Sequence, residues 1–224
     1  IEHSVKLVKE IPSTKKYELD NGATLLISPN SLNDIVALSI YAKGGEFLEK
    51  IPGTSDIMSS VMLKGTKKYS SLELAQILEE NGIKINPSAS ADNFSIDVLT
   101  TKSQLPKTLV ILDEIINSAT FDDYEIEKTK STKLNSIKKS RDVPMSLALE
   151  EYKNLIFENS VYSYGTKIFE KTFPKIQRDD ILEYYNVIFN PKNIVISVNG
   201  NVDVSEVASQ FSEILGGKCG ADNV

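Results

Sequence analysis

Residues 53–82 read GTSDIMSSVMLKGTKKYSSLELAQILEENG, and this stretch decides how the rest of the chain is read. Ile57, Met58, Val61, Met62 and Leu63 recur at helical spacing, so a helix is expected over 54–63, ending before Lys64-Gly65-Thr66. Ser70 and Glu73 then have the spacing of a capping box. A second helix follows, with Leu72, Leu74, Ala75 and Leu78 expected on one face and Gly82 as its stop.

Strands are expected on both sides of this helical pair. Upstream, residues 16–19 and 23–28 flank Asp20-Asn21-Gly22, and Asn-Gly between apolar runs is a strong hairpin signal. Residues 35–43 (IVALSIYAK) form a third strand ended by Gly44-Gly45. Downstream two more strands are expected, with Phe94, Ile96 and Val98 alternating with Ser95 and Asp97, the pattern of a sheet with one wet face. From Ser103 on helices dominate. Leu105, Leu109, Leu112, Ile115 and Ile116 make an apolar stripe, with Pro106 tolerated in the first turn. Residues 124–139 are polar apart from Ile126, Leu134 and Ile137 and should lie on the surface. Helices over 146–157 and 179–189, a strand over 194–198 and a helix capped by Asp203 and Glu206 complete the series. Strands and helices are partly segregated and two hairpins are visible. The fold class is therefore α+β, with a largely antiparallel sheet packed with several helices. With no repeat, low-complexity tract or internal linker, residues 1–224 are read as one domain, with 1–14 linker-like and 216–224 a frayed tail or the start of a linker.

Composition removes several chemistries. The 224 residues carry a formal charge of −6, 41% apolar and 25% charged residues, one Cys (Cys219), one His (His3) and no Trp. Net negative charge disfavours phosphate backbones and anionic lipid, and no apolar run approaches the about 20 residues of a membrane-spanning helix. One Cys forms no internal disulfide, and His3 precedes the first core position, so a Ser-His-Asp or Cys-His system is unsupported. Zinc prefers His and Cys ligands, so a site here would have to be built from carboxylates.

No phosphate-cradling glycine loop occurs, and Gly216-Gly217-Lys218 is a short cluster at the chain end. Lys128, Lys130, Lys133, Lys138 and Lys139 crowd one helix and read as a solvated face suited to the helix dipole rather than a nucleic-acid surface. Asp122-Asp123 and Asp179-Asp180 fit N-terminal capping, and Asn93-Phe94-Ser95 is a glycosylation sequon inside an expected strand.

Taken in order, several segments resemble the pitrilysin and insulinase zinc peptidases, the inverted zincins, a family that includes the mitochondrial processing peptidases. They are the hairpin Tyr17 to Ile27, the strand Val36-Ala37-Leu38 to Gly44-Gly45, and Lys64-Gly65-Thr66-Lys67-Lys68-Tyr69-Ser70 followed by Leu78-Glu79-Glu80-Asn81-Gly82. Near the end come Asn190-Pro191, Asn193-Ile194-Val195 and Gly200-Asn201-Val202-Asp203. The resemblance implies a pitrilysin-like domain. In active members an H-x-x-E-H helix precedes the Lys-Gly-Thr element. Its two His and a later Glu bind zinc, and its own Glu is the general base. By position the first His falls on Asp56, the Glu on Ser59 and the second His on Ser60, while the later Glu falls in Leu134-Asn135-Ser136-Ile137. None of these is retained.

The expectation is therefore a chain with no catalytic, cofactor-binding or metal residues of its own, not an enzyme by itself. It would be the inactive half of a metalloendopeptidase, forming part of a peptide-enclosing chamber and supporting proteolysis. Its partners would be a zinc-bearing catalytic half, in the same polypeptide or a separate subunit, and unfolded peptide. Zinc is expected only in that partner half. The alternative is a structural or assembly protein on the same fold, like the core subunits of a respiratory complex.

Overall fold

The computed structural model describes residues 5–11 and 14–216. In chain order the strands and helices are β1 (Val5–Ile11), β2 (Thr14–Leu19), β3 (Thr24–Pro29), β4 (Ile35–Lys43), α1 (Thr54–Val61), α2 (Ser71–Glu80), β5 (Lys84–Ala89) and β6 (Asn93–Thr101). There follow α3 (Leu105–Ser118), α4 (Asp123–Ser140), α5 (Pro144–Ile156), α6 (Thr166–Thr172), α7 (Arg178–Ile188), β7 (Ile194–Gly200) and α8 (Val204–Gly216). The expected α+β class and largely antiparallel sheet are what is observed. His3, Cys219 and the residues 217–224 of the expected tail lie outside the described residues.

The seven strands form one sheet in the order β1-β2-β3-β7-β4-β6-β5. All pairs are antiparallel except β3 with β7, so the last strand in sequence sits in the middle of the sheet. Along β4, Val36, Leu38, Ile40 and Ala42 are buried while Ile35, Ala37, Tyr41 and Lys43 are exposed. That period of two gives one covered and one wet face. On the wet face Ser39 donates to Asp97 across the strands at 2.6 Å. The covered face carries a single apolar core, to which α3 contributes its whole stripe of Leu105, Leu109, Leu112, Ile115 and Ile116. Each such side chain contributes about 1.5–3 kcal/mol on burial.

Local chemistry fixes the connections. The β2–β3 turn is closed by Gly22 N–H to Leu19 O and Leu19 N–H to Ala23 O, both 2.9 Å. Gly22 takes φ 90° while Asn21 keeps negative φ, so this is a tight turn with a glycine bulge rather than a two-residue turn. In the loop between α1 and α2, the Thr66 hydroxyl accepts from Lys68 N–H at 3.2 Å and Tyr69 N–H at 3.0 Å. Ser70 and Glu73 make the full capping box at the start of α2.

Four sequence expectations differ. Residues 1–14, read as linker-like, contain β1, which pairs with β2; its sequence V-K-L-V-K-E-I breaks the apolar alternation at Val8, which hides the strand. On α2 the buried residue is Leu74, with Ile77 and Leu78 partly buried against the core, whereas Leu72 and Ala75, expected on the same face, are exposed. The helix begins at Ser71, which turns Leu72 outward in the first turn. The polar helix α4 is not wholly superficial: Ile126, Ile137 and even Lys130 are buried. The short α6 was not anticipated, since its seven residues carry only Ile168 and Phe169 as apolar signal.

Candidate functional site

The helix α1 packs against β5, α4 and α7, and its N-terminus is held in an unusual way. The residue before it is Gly53 at φ 93°, where an added Cβ would lie 2.4 Å from the Phe173 ring, so only glycine fits. No capping side chain precedes the helix. Glu49, four residues earlier, supplies the cap: its carboxylate accepts from Gly53 N–H at 2.6 Å and Ser55 N–H at 2.8 Å. Burial pushes the Glu49 carboxyl above the usual range, and those backbone bonds partly offset it. Burial, then the nearby Glu49 and Asp56, push Glu46 up to about 7.

Asp56 stands in the first turn of α1, and Lys133 of α4 donates to its Oδ1 at 2.8 Å. Ser59 and Ser60 turn their hydroxyls back onto the helix, donating to the Asp56 carbonyl at 2.9 and 3.0 Å. Those protons are therefore committed to backbone. Ser136 is exposed and donates to Thr132 O at 3.1 Å. The residue of α4 that meets Asp56 is Lys133, one position before the stretch 134–137 in which the resemblance places the later Glu. The assembled group is one carboxylate already paired with an ammonium and two serines bonded to a carbonyl. A divalent cation at Asp56 would meet the repulsion of Lys133. Among the described residues no group of three or more His, Cys, Asp or Glu could hold a metal ion.

The remaining candidates resolve into structural roles. Asp122 caps α4, accepting from Tyr124 N–H at 2.9 Å, and Asp180 shares a capping box with Gln177 at α7. Lys130 is buried and bonds Glu127 at 2.6 Å, so the lysines of α4 do not form one solvated face. Asn93 opens β6, paired with Lys43. Sequence reasoning missed Glu49 and Lys133. The first has a signal in the sequence, since an α1 start preceded by Gly53 rather than Ser, Thr, Asp or Asn needs an acceptor from elsewhere for its free N–H groups. The second depends on tertiary register and leaves no local signal.

Two surfaces near α1 are open. β5 is the edge strand of the sheet and contains Pro87, whose missing N–H costs no ladder bond where it faces outward. Farther along, α5 buries none of its residues: Met145 is 76%, Leu149 53%, Tyr152 58% and Leu155 82% exposed.

Comparison with known proteins gives a consistent likeness. The family model of insulinase (peptidase family M16) matches residues 25–164. The "uncharacterized zinc protease YmxG" of Bacillus subtilis is 24% identical over 193 residues, 85% of this chain and 47% of the relative. The mitochondrial-processing peptidase subunit beta of Bos taurus is 25% identical over 207 residues, 91% of this chain and 42% of the relative. The chain thus spans about half the length of the curated relatives it matches. Among solved structures, a peptidase M16 inactive domain from Pseudomonas fluorescens superposes with a TM-score of 0.87 at 15% identity, covering 94% of this chain and 52% of that one.

Proposed function

Because the chain belongs to the insulinase family, peptidase family M16, we propose that it is a non-catalytic domain of such a peptidase, binding peptide and shaping the chamber that a zinc-bearing half completes. The observation that carries this reading is the Asp56–Lys133 ion pair at 2.8 Å, on the helix where the family's H-x-x-E-H motif is expected. A peptidase of this kind needs a metal-bound water and a base to deprotonate it. Here the position expected for the first His is a carboxylate neutralised by a lysine, and the positions expected for the base and the second His are serines bonded to backbone. At these three positions no side chain is left free to hold zinc or deprotonate its water, and the domain's part is to bind and orient the peptide.

Two further features support a partner. The apolar residues of α5 stand in solvent, as expected of a face that another domain covers. The likeness to a domain described as inactive, and to relatives about twice as long, fits a chain that works with a second half. An extended peptide could align along β5 by strand addition. Pro87 removes one donor from that edge, so pairing there is partial and side-chain contacts must supply the rest of the affinity.

The test is reconstitution. The chain alone should hold no stoichiometric zinc after dialysis, by elemental analysis, and should leave unfolded peptides intact. Added to a zinc-bearing half, the protein containing this domain should raise peptide cleavage by completing the chamber that orients the substrate. About one zinc per chain, or equal cleavage with and without this domain, overturns the proposal. Equal cleavage would favour the assembly-protein alternative.

A further inference from the structure

Between the C-terminal end of α1 and the middle of α4 lies an open cleft of about 320 Å3. Three ammonium groups line it: Lys64, just beyond α1, and Lys128 and Lys133 from α4. The carboxylates in reach are Glu125, 3.6 Å from Lys128, and Asp56, which holds Lys133 at 2.8 Å. Three cations thus face two anions, in a chain whose formal charge is −6. Among the described residues Lys64 has no ion-pair partner.

The hydroxyls in the cleft differ in what they can offer. Ser60 donates to Asp56 O and Thr132 to Lys128 O, so their protons are engaged. The Thr129 hydroxyl, on the same wall, has no hydrogen-bond partner among the described residues. One unneutralised ammonium and one free hydroxyl donor match a compact monoanion. A phosphate dianion would ask for more donors, and no helix N-terminus or run of backbone N–H groups opens into this cleft to supply them.

The geometry points to a carboxylate-binding cleft, which takes an acidic group of a peptide lying across α1 and α4, with Lys64 as the main counter-charge and Thr129 as donor. The inference rests on the peptide-binding reading above and deepens it by naming a substrate preference. The carboxylate has two sources, an Asp or Glu side chain or a free C-terminus, and the same chemistry recognises both. Because Lys64 and Lys128 are exposed, the preference is modest, on the order of threefold at low salt, and falls as salt screens it.

Three versions of one fluorescent peptide test this on the whole chain by anisotropy titration. One carries Gln and a C-terminal amide, one replaces Gln by Glu, and one keeps Gln but has a free C-terminus. At least one carboxylate-bearing peptide should bind about threefold tighter than the neutral one at low salt, and which of the two gains identifies the source. In Lys64→Gln the ratio between carboxylate-bearing and neutral peptides should fall to about one. Lys128→Gln should reduce it, and circular dichroism should show both variants folded. Equal binding of all three peptides, or an advantage that survives Lys64→Gln, overturns the cleft and leaves the peptide-binding reading standing. Absence of binding by every peptide overturns both.

Discussion

An ammonium group 2.8 Å from Asp56 changes what the first turn of α1 can do. A carboxylate there could serve a metal or an incoming cation, but Lys133 already supplies an internal cation and ties α1 to α4. Both side chains are partly exposed, so the pair contributes little to stability. A double-mutant cycle of Asp56→Ala and Lys133→Ala should give a coupling of about 0.5 kcal/mol in urea unfolding, shrinking in high salt. Zero coupling would mean the pair does not bridge the helices. Ser59→Ala and Ser60→Ala should each shift stability by less than about 1 kcal/mol, since their hydroxyls bond a carbonyl already within the helix. At this scale the sequence is half legible. Asp56, Ser59 and Ser60 are found by counting back from Lys64, because one helix fixes their spacing. Lys133 lies 77 residues away, and its approach depends on how two helices pack, which no local pattern records.

Helices and strands were readable where an amphipathic period met a chemical stop. The α2 capping box, the α3 stripe and the alternation of β6 from Ile96 to Thr100 follow from hydrogen bonding and burial within ten or so residues, whereas Ser95, expected on the wet face, is buried. The same reasoning cannot say what an apolar face touches. α5 has the helical period of a core element, yet Met145, Leu149, Tyr152 and Leu155 stand in solvent. Ordered around water, such a face favours association. The isolated chain should therefore self-associate as concentration rises, by light scattering coupled to size exclusion. Leu149→Lys and Leu155→Lys together should shift it toward monomer with a stability change within about 0.5 kcal/mol each. A loss of several kcal/mol would instead place these residues against the chain's own core. β1 shows the opposite failure: its pairing comes from β2 next to it, not from a signal within its own seven residues.

For the whole molecule, class and sheet type follow from counting hairpins and helices, but strand order does not. Nothing in residues 194–200 announces that they pair with β3 on one side and β4 on the other. Val195 meets Thr24 in one register and Tyr41 in the other. Without β7 the sheet is two three-stranded pieces, β1-β2-β3 and β4-β6-β5, joined by nothing. A chain ended after Asn190 should therefore lack slow exchange at the β4 amides that bond β7, whereas the full chain should protect them, as hydrogen–deuterium exchange would read. Protection of those amides in the shortened chain would show that the two pieces close without their keystone.

That placement also sets an order of events during synthesis. As the chain leaves the ribosome, β3 and β4 emerge early, each with an unsatisfied edge. Both must wait until α1 to α7 and the strands between them have been made before the strand that seals them arrives. Such distant pairings slow folding and leave sticky edges open meanwhile. The nascent domain is thus one that a holding chaperone would protect, and its vulnerable interval ends only when β7 slots in.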